Sequence, residues 1–74
     1  MTPLGEQLDR VIDEMLTRGI TYEEAQRELE RRFILRALDR TRGNLCQAAG
    51  VLGMHRNTLS RKLTEHRLRR PPSA

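Results

Sequence analysis

The most regular feature of the chain is the return of apolar residues every three or four positions. Residues 3–18 show this spacing, which places the apolar side chains along one side of a helix. Thr2-Pro3 opens the segment and Gly19 follows it, as is typical of a helix start and a helix end. The pattern predicts a first helix over 3–18 with one apolar stripe: Leu4, Leu8, Val11, Ile12, Met15 and Leu16.

A second helix is predicted over residues 22–42. Thr21 and Glu24 have the spacing of a capping box directly before it. Its apolar residues begin as one stripe and widen over the second half. A surface helix needs only one stripe, so we expect the second half to be buried from two directions. The stripe is Ala25, Leu29, Phe33 and Ala37, and the added residues are Ile34, Leu35 and Leu38.

Two short helices are predicted after this, over 45–52 and 56–66. Gly43 suits the end of the preceding helix, and Asn44 suits the cap of the next one. The small Ala48 and Ala49 allow a close crossing, and Gly53 tolerates the positive φ that a tight turn needs. The sequence therefore predicts an all-α chain of four helices that ends in a helix-turn-helix.

The small size of the chain predicts an oligomer. A chain of 74 residues buries a limited core and usually needs a disulfide, a metal or a partner. Cys46 is the single cysteine, and the two histidines have no ligand neighbours at zinc-type spacing. No disulfide, metal or cofactor is expected, so a second copy of the chain is the remaining means of stabilisation.

Charge is distributed unevenly along the chain. Residues 1–40 carry seven Arg and nine Asp or Glu, a net −2, whereas residues 41–74 carry seven Lys or Arg and one Glu, a net +6. This asymmetry predicts that the second half meets a polyanion. With Leu59 and Leu63 facing inward, the outward face of the last helix centres on Asn57, Ser60, Arg61 and Thr64, with Arg56 at its start and Thr58 and Lys62 on one shoulder.

The chemistry of this outward face suits double-stranded DNA. Arginine can bond guanine and asparagine can bond adenine in the major groove, whereas Thr58 and Lys62 are better placed for phosphates. Acids cluster only on the first helix, with no histidine or nucleophile beside them, so no catalytic residues and no enzyme are predicted. The sequence has no membrane-length apolar run and no secretory signal, which predicts a cytoplasmic protein.

The second half resembles the helix-turn-helix of the Fis family of bacterial regulators. The resemblance covers residues 29–66, and the first helix also resembles that of the Fis core. The same module ends the nitrogen-regulatory enhancer-binding activators. The matching residues are Arg42-Gly43-Asn44, Ala48-Ala49, Leu52-Gly53, Arg56-Asn57-Thr58-Leu59 and Lys62-Leu63.

The resemblance implies a homodimer in which the first two helices of both subunits interlock into a four-helix core. Recognition helices in such a dimer lie closer together than one turn of straight DNA, so the DNA must bend. The dimer core is then expected to contain Leu8, Val11, Ile12, Met15, Leu29, Phe33, Ile34 and Ala37.

The resemblance also implies which residues meet DNA. Asn44 and Cys46 would lie beside phosphates, and Arg56 would be the principal guanine reader. Ser60, Thr64 and Glu65 stand where Fis is basic, which predicts weaker phosphate affinity. His55 stands where Fis has a shorter polar residue. The full predicted set is Asn44, Cys46, His55, Arg56, Asn57, Thr58, Ser60, Arg61 and Lys62.

Three functions stay open at this point. The first is a homodimeric, sequence-biased DNA-binding and DNA-bending protein of the bacterial nucleoid or a small transcriptional regulator. The second is the DNA-binding end of a longer enhancer-binding activator. The third is a helical dimer that binds a protein partner and uses its basic end for solubility. In each case we expect dimerisation helices over 1–42, a helix-turn-helix over 43–66 and a basic disordered tail over 67–74.

Overall fold

The computed structural model describes residues 3–68, and this part of the chain folds into four helices. They are α1 (Pro3–Thr17), α2 (Tyr22–Arg40), α3 (Leu45–Leu52) and α4 (Arg56–Glu65). The predicted all-α architecture and the order of its helices are confirmed. The predicted start at Thr2 and residues 69–74 of the predicted tail lie outside the described residues.

The helices begin where side chains can cap them. Thr21 and Glu24 form the predicted capping box: the Thr21 hydroxyl accepts from the Glu24 backbone N–H at 3.2 Å, and the Glu24 carboxylate accepts from the Thr21 backbone N–H. The Asn44 side chain accepts from the backbone N–H of Gln47 at 3.1 Å and so starts α3. Each cap satisfies a backbone donor that has no partner within the helix.

The helices end by one repeated device. A residue of positive φ follows each helix, and the next backbone N–H bonds to a carbonyl five residues back, at 2.8–3.0 Å. Arg42 has this role after α2 with a φ of 55°, although the sequence suggested Gly43. Gly43, the next residue, also has a positive φ, of 79°, and the Asn44 cap of α3 follows it directly. The four terminating residues are Gly19, Arg42, Gly53 and Arg67.

One small core holds the last three helices together. α2 packs on α3, and α3 packs on α4. Ala48 and Ala49 are almost fully buried at the crossing, as their small size predicted. Leu68, which falls in the predicted disordered tail, packs against this core instead. The buried residues are Ile34, Ala37, Leu38, Ala48, Ala49, Leu59 and Leu63.

Helix α1 makes no comparable packing within the chain, and none of its residues is buried. Its apolar stripe is open: Leu8, Val11 and Ile12 are each between 43% and 49% exposed. On α2, Leu29 and Phe33 are also open, at 50% and 59%. The apolar face of α1 and one face of α2 are therefore uncovered in the single chain.

The second half of α2, which was expected to be buried from two directions, is buried on one side only in the single chain. Ile34 and Ala37, which were predicted for the dimer core, lie instead in the core that α2 shares with α3 and α4. Phe33, one residue before Ile34, lies at the edge of that core beside Leu52, and the chain leaves more than half of it exposed. The apolar pattern was right that one side of α2 is buried, by α3 and α4, whereas burial of its other apolar residues by a partner outside the chain stays a prediction. No helix within residues 3–68 is long and apolar enough to cross a membrane.

Candidate nucleic-acid interface

Helix α4 has an inner and an outer face of different chemistry. Leu59 and Leu63 are at most 1% exposed and anchor the helix to the core. The outer side chains of Arg56, Asn57 and Arg61 are exposed. A short helix that is fixed on one side and polar on the other is the geometry that a major groove admits.

Arg56 begins α4 and is exposed at the end of the helix nearest the turn. Within residues 3–68 no carboxylate lies at ion-pair distance from it. Its guanidinium keeps all five donors for a ligand, including the pair that matches O6 and N7 of guanine. Arg56 is therefore exposed and unneutralised at the start of α4, and its role as a base-reading residue stays a prediction.

His55 caps the helix that Arg56 begins. Its Nδ1 accepts from the backbone N–H of Asn57 at 3.1 Å. In the neutral ring this leaves the proton on Nε2, so the exposed imidazole can still donate to a phosphate or a base edge. One side chain thus starts α4 and presents a donor beside Arg56.

Arg61 lies on the same outer face but has an acidic neighbour. Its Nε is 3.6 Å from a carboxylate oxygen of Glu65, one turn later, and both side chains are more than half exposed. An exposed pair of this kind is worth only about 0.3–0.5 kcal/mol. A phosphate can therefore displace Glu65 at little cost. Ser60 and Thr58 are half-buried beside this face, and the Thr64 hydroxyl donates to the Ser60 carbonyl at 3.3 Å.

The start of α3 holds the other two predicted DNA-binding residues. The Asn44 side chain is engaged as the helix cap, and Cys46 is exposed. The backbone donors of a helix start can receive a phosphate. The contact of Asn44 and Cys46 with DNA stays a prediction. Among residues 3–68 no group of three His, Cys, Asp or Glu side chains could hold a metal ion.

Lys62 is placed differently from the other predicted contacts. Its Nζ lies 2.6 Å from one carboxylate oxygen of Glu30 on α2, and its side chain is 24% exposed. The other Glu30 oxygen lies 2.6 Å from Nε2 of His66. The hydrogen bond from Lys62, and after it the one from His66, holds the pKa of the Glu30 carboxyl below its usual value.

Glu30 was not predicted as a site residue, and His66 was considered only in excluding a metal site. Lys62 and His66 are one turn apart and lie on the side of α4 that carries Leu59 and Leu63. This spacing could have predicted the contact, because two polar residues on the inward side of a helix need polar partners on a neighbouring helix. Lys62 was predicted to bind phosphate, and that role stays a prediction in competition with the Glu30 carboxylate.

A core-anchored α4 with an exposed Arg56, preceded by the short α3 at a tight glycine turn, is the arrangement of a helix-turn-helix DNA-binding protein. The chain belongs to the Fis family of bacterial regulatory proteins, whose family model matches residues 25–66. The match includes all of α3 and α4 and most of α2. No solved structure matches the chain.

Curated relatives share the same stretch. The DNA-binding transcriptional regulator NtrC of Escherichia coli (strain K12) is 55% identical over 42 residues, which are 57% of this chain and 9% of that protein. NtrC of Azospirillum brasilense is 43% identical over 53 residues, 72% of this chain and 11% of that protein. NtrC of Klebsiella pneumoniae is 42% identical over 64 residues, 86% of this chain and 13% of that protein. The chain thus spans about a tenth of the length of these relatives.

Proposed function

We propose that the chain is a homodimeric DNA-binding regulator that reads sequence weakly and bends its DNA. The observation that carries the proposal is the outer face of α4, where Arg56, Asn57 and Arg61 are exposed on a helix whose other side is fixed in the core. Base contacts from this face supply a sequence bias, and each bidentate pair contributes about 1–3 kcal/mol of discrimination.

The proposal of a homodimer rests on the apolar surface that the single chain leaves uncovered. α1 has an open apolar stripe along its length, and α2 adds Leu29 and Phe33. Monomeric soluble proteins rarely leave large contiguous apolar patches open to water. A second copy offers the same two faces, so two chains can cover one another symmetrically. The proposed dimer core is Leu8, Val11, Ile12, Met15, Leu29 and Phe33.

DNA bending follows from the dimer. Two α4 helices that lie closer together than one turn of straight DNA cannot both reach their grooves unless the duplex curves. Bending costs several kcal/mol by an amount that depends on sequence, roughly 1–6 kcal/mol for smooth bends, and extra phosphate contacts offset it. The proposed site of action is the DNA of the bacterial cytoplasm.

The test is selection of bound duplexes from a random DNA pool, followed by fluorescence anisotropy on the selected duplex. We expect two half-sites, and an affinity that falls steeply with salt because phosphate neutralisation releases counterions. Reversing both charges, Arg56→Glu with Arg61→Glu, should weaken binding by about 100-fold or more. The matched control is Arg10→Glu with Arg18→Glu, which reverses two exposed charges in and directly after α1 and should bind nearly as the wild type does.

Two results would end the proposal. One is tight DNA binding by the α4 charge-reversal variant. The other is binding that is insensitive to salt, which would favour a helical dimer whose target is a protein.

A second candidate is the DNA-binding part of a longer transcriptional activator. It is favoured by the relatives, which are all NtrC proteins roughly ten times the length of the match. The mass of the native protein in its source cells discriminates between the two. An immunoblot band near 8.6 kDa supports the small regulator, and a much larger band supports the activator.

A further inference from the structure

The ion pairs of the chain fall into two kinds. Those of Glu14, Glu28 and Glu65 join residues three or four apart, and the side chains are 44–71% exposed. Those of Glu30 reach from α2 to α4, across more than thirty residues. Within residues 3–68 Glu30 is the only carboxylate that pairs with a base on another helix.

The Glu30 contacts are also the least exposed ion pairs in the described residues. The side chain of His66 is 5% exposed, and that of Lys62 is 24% exposed. Partly buried charges interact more strongly than surface charges, because water screens them less. No buried side-chain N or O atom in the described residues lacks a hydrogen-bond partner. The Glu30 side chain itself is 35% exposed, so the cluster is a hydrogen-bonded polar group at the edge of the core.

The geometry fixes more than the distance between the two helices. Glu30 uses one oxygen for Lys62 in the last turn of α4 and the other for His66, the residue that caps the end of that helix. Two attachment points along one helix restrain its rotation about its own axis as well as its tilt. Leu59 and Leu63 set which side of α4 faces the core, and the Glu30 contacts restrain the smaller rotations that change the direction of Arg56 and Arg61.

We propose that Glu30 is a positioning residue for DNA recognition, which holds α4 at a set orientation to α2 through Lys62 and His66. The proposal rests on the proposed dimer, because α2 also carries the open face of Phe33. Because the contacts of Glu30 with Lys62 and His66 join α4 to α2, the dimer surface on α2 fixes the separation of the two recognition helices. Lys62 then acts mainly by bonding Glu30, and its contact with phosphate is secondary.

The first test compares Glu30→Ala with Glu28→Ala on duplexes whose half-sites are moved apart one base pair at a time. Glu28 is the matched control: it lies two residues earlier on α2, carries the same charge and pairs only within its own helix. We expect the wild type and Glu28→Ala to prefer one separation by about tenfold, because wrong separations require extra DNA deformation. Glu30→Ala should reduce that preference to about threefold or less, while its affinity for the best duplex changes much less.

Lys62→Met tests whether Lys62 acts through Glu30 or by direct contact with phosphate. This test does not depend on whether the Glu30→Ala chain folds. If Lys62 works through Glu30, the substitution broadens the separation profile and adds nothing further in the Glu30→Ala background. A uniform loss of affinity at every separation, in both backgrounds, would show a plain phosphate contact and would overturn the assigned role of Lys62.

Amide hydrogen exchange of the free protein provides a readout that needs neither DNA nor a dimer. Glu30→Ala, which removes the contacts with Lys62 and His66, should speed exchange in α4 by about tenfold relative to α3. Glu28→Ala should leave the exchange rates of α4 unchanged. Equal exchange in the Glu30→Ala and Glu28→Ala variants would overturn the proposal. A wild type that shows no preferred separation would refute the proposed dimer, and the exchange result would still decide whether Glu30 holds α4.

Discussion

Phe33 offers a direct test of the surface between two copies of the chain. Its side chain is 59% exposed in the single chain, although Ile34 beside it is fully buried. If a second copy covers the open part of Phe33, truncation to alanine removes contact made by the dimer in addition to the smaller contact made within the chain. The monomer fold should be little affected, because the core of α2, α3 and α4 does not include Phe33.

The size of the effect follows from the exposed fraction. Fully burying a phenylalanine is worth about 1.5–3 kcal/mol, so covering the open 59% contributes about 1–2 kcal/mol in each copy. A symmetric dimer contains the residue twice, and the combined loss of about 2–4 kcal/mol raises the dimer Kd by about 30- to 1,000-fold. The Phe33→Ala chain should therefore dissociate at concentrations at which the wild type is dimeric.

Sedimentation equilibrium over a range of protein concentrations measures this Kd directly. Leu35→Ala is the control: Leu35 lies on the same helix, is 38% exposed and lies outside the proposed dimer core. It should leave the dimer Kd within a fewfold of the wild-type value. A Phe33→Ala Kd equal to that of the wild type, with helical content retained, would refute the reasoning.

Three further predictions concern stability. Arg42→Gly should raise the free energy of unfolding by about 0.5–1 kcal/mol in urea melts, because a non-glycine residue at a φ of 55° is strained. Arg36→Gly should lower the free energy of unfolding by about as much, because glycine is unfavourable in the interior of a helix such as α2. Ile34→Ala should lower it by about 2–5 kcal/mol, because Ile34 is 0% exposed at the centre of the core; a loss below 1 kcal/mol would contradict the packing described above. The pairing of Glu30 with Lys62 lowers the pKa of its carboxyl from 4.5, so its stabilising contribution is present above that pH and is lost as the pH falls through the lowered pKa. The urea concentration at the unfolding midpoint should be higher for the wild type than for Glu30→Gln at pH 7, and the difference should shrink toward pH 3. A difference that does not change with pH would argue against a stabilising contact between the Glu30 carboxylate and Lys62.

The sequence alone determined the order of the helices and most of their caps, although it suggested Gly43 and not Arg42 as the residue that ends α2. Thr21 with Glu24, Asn44 and Gly53 act on backbone groups within a few residues of themselves, so their effect can be predicted from spacing. The two faces of α4 were also predictable, because the positions of Leu59 and Leu63 fix where the other side chains of a short helix point. The helix-turn-helix and its outward arginines therefore followed from local rules.

Only the tertiary structure decided which partner covers each apolar face and which base meets which acid. The pattern on α2 could not separate Ile34, which α3 and α4 bury, from Phe33, which they leave open. Nor could it pair Glu30 with Lys62 and His66, which lie 32 and 36 residues away. Helix periodicity fixes the direction of a side chain relative to its own axis, whereas these contacts depend on how separate helices cross, and that is set by packing of the whole core.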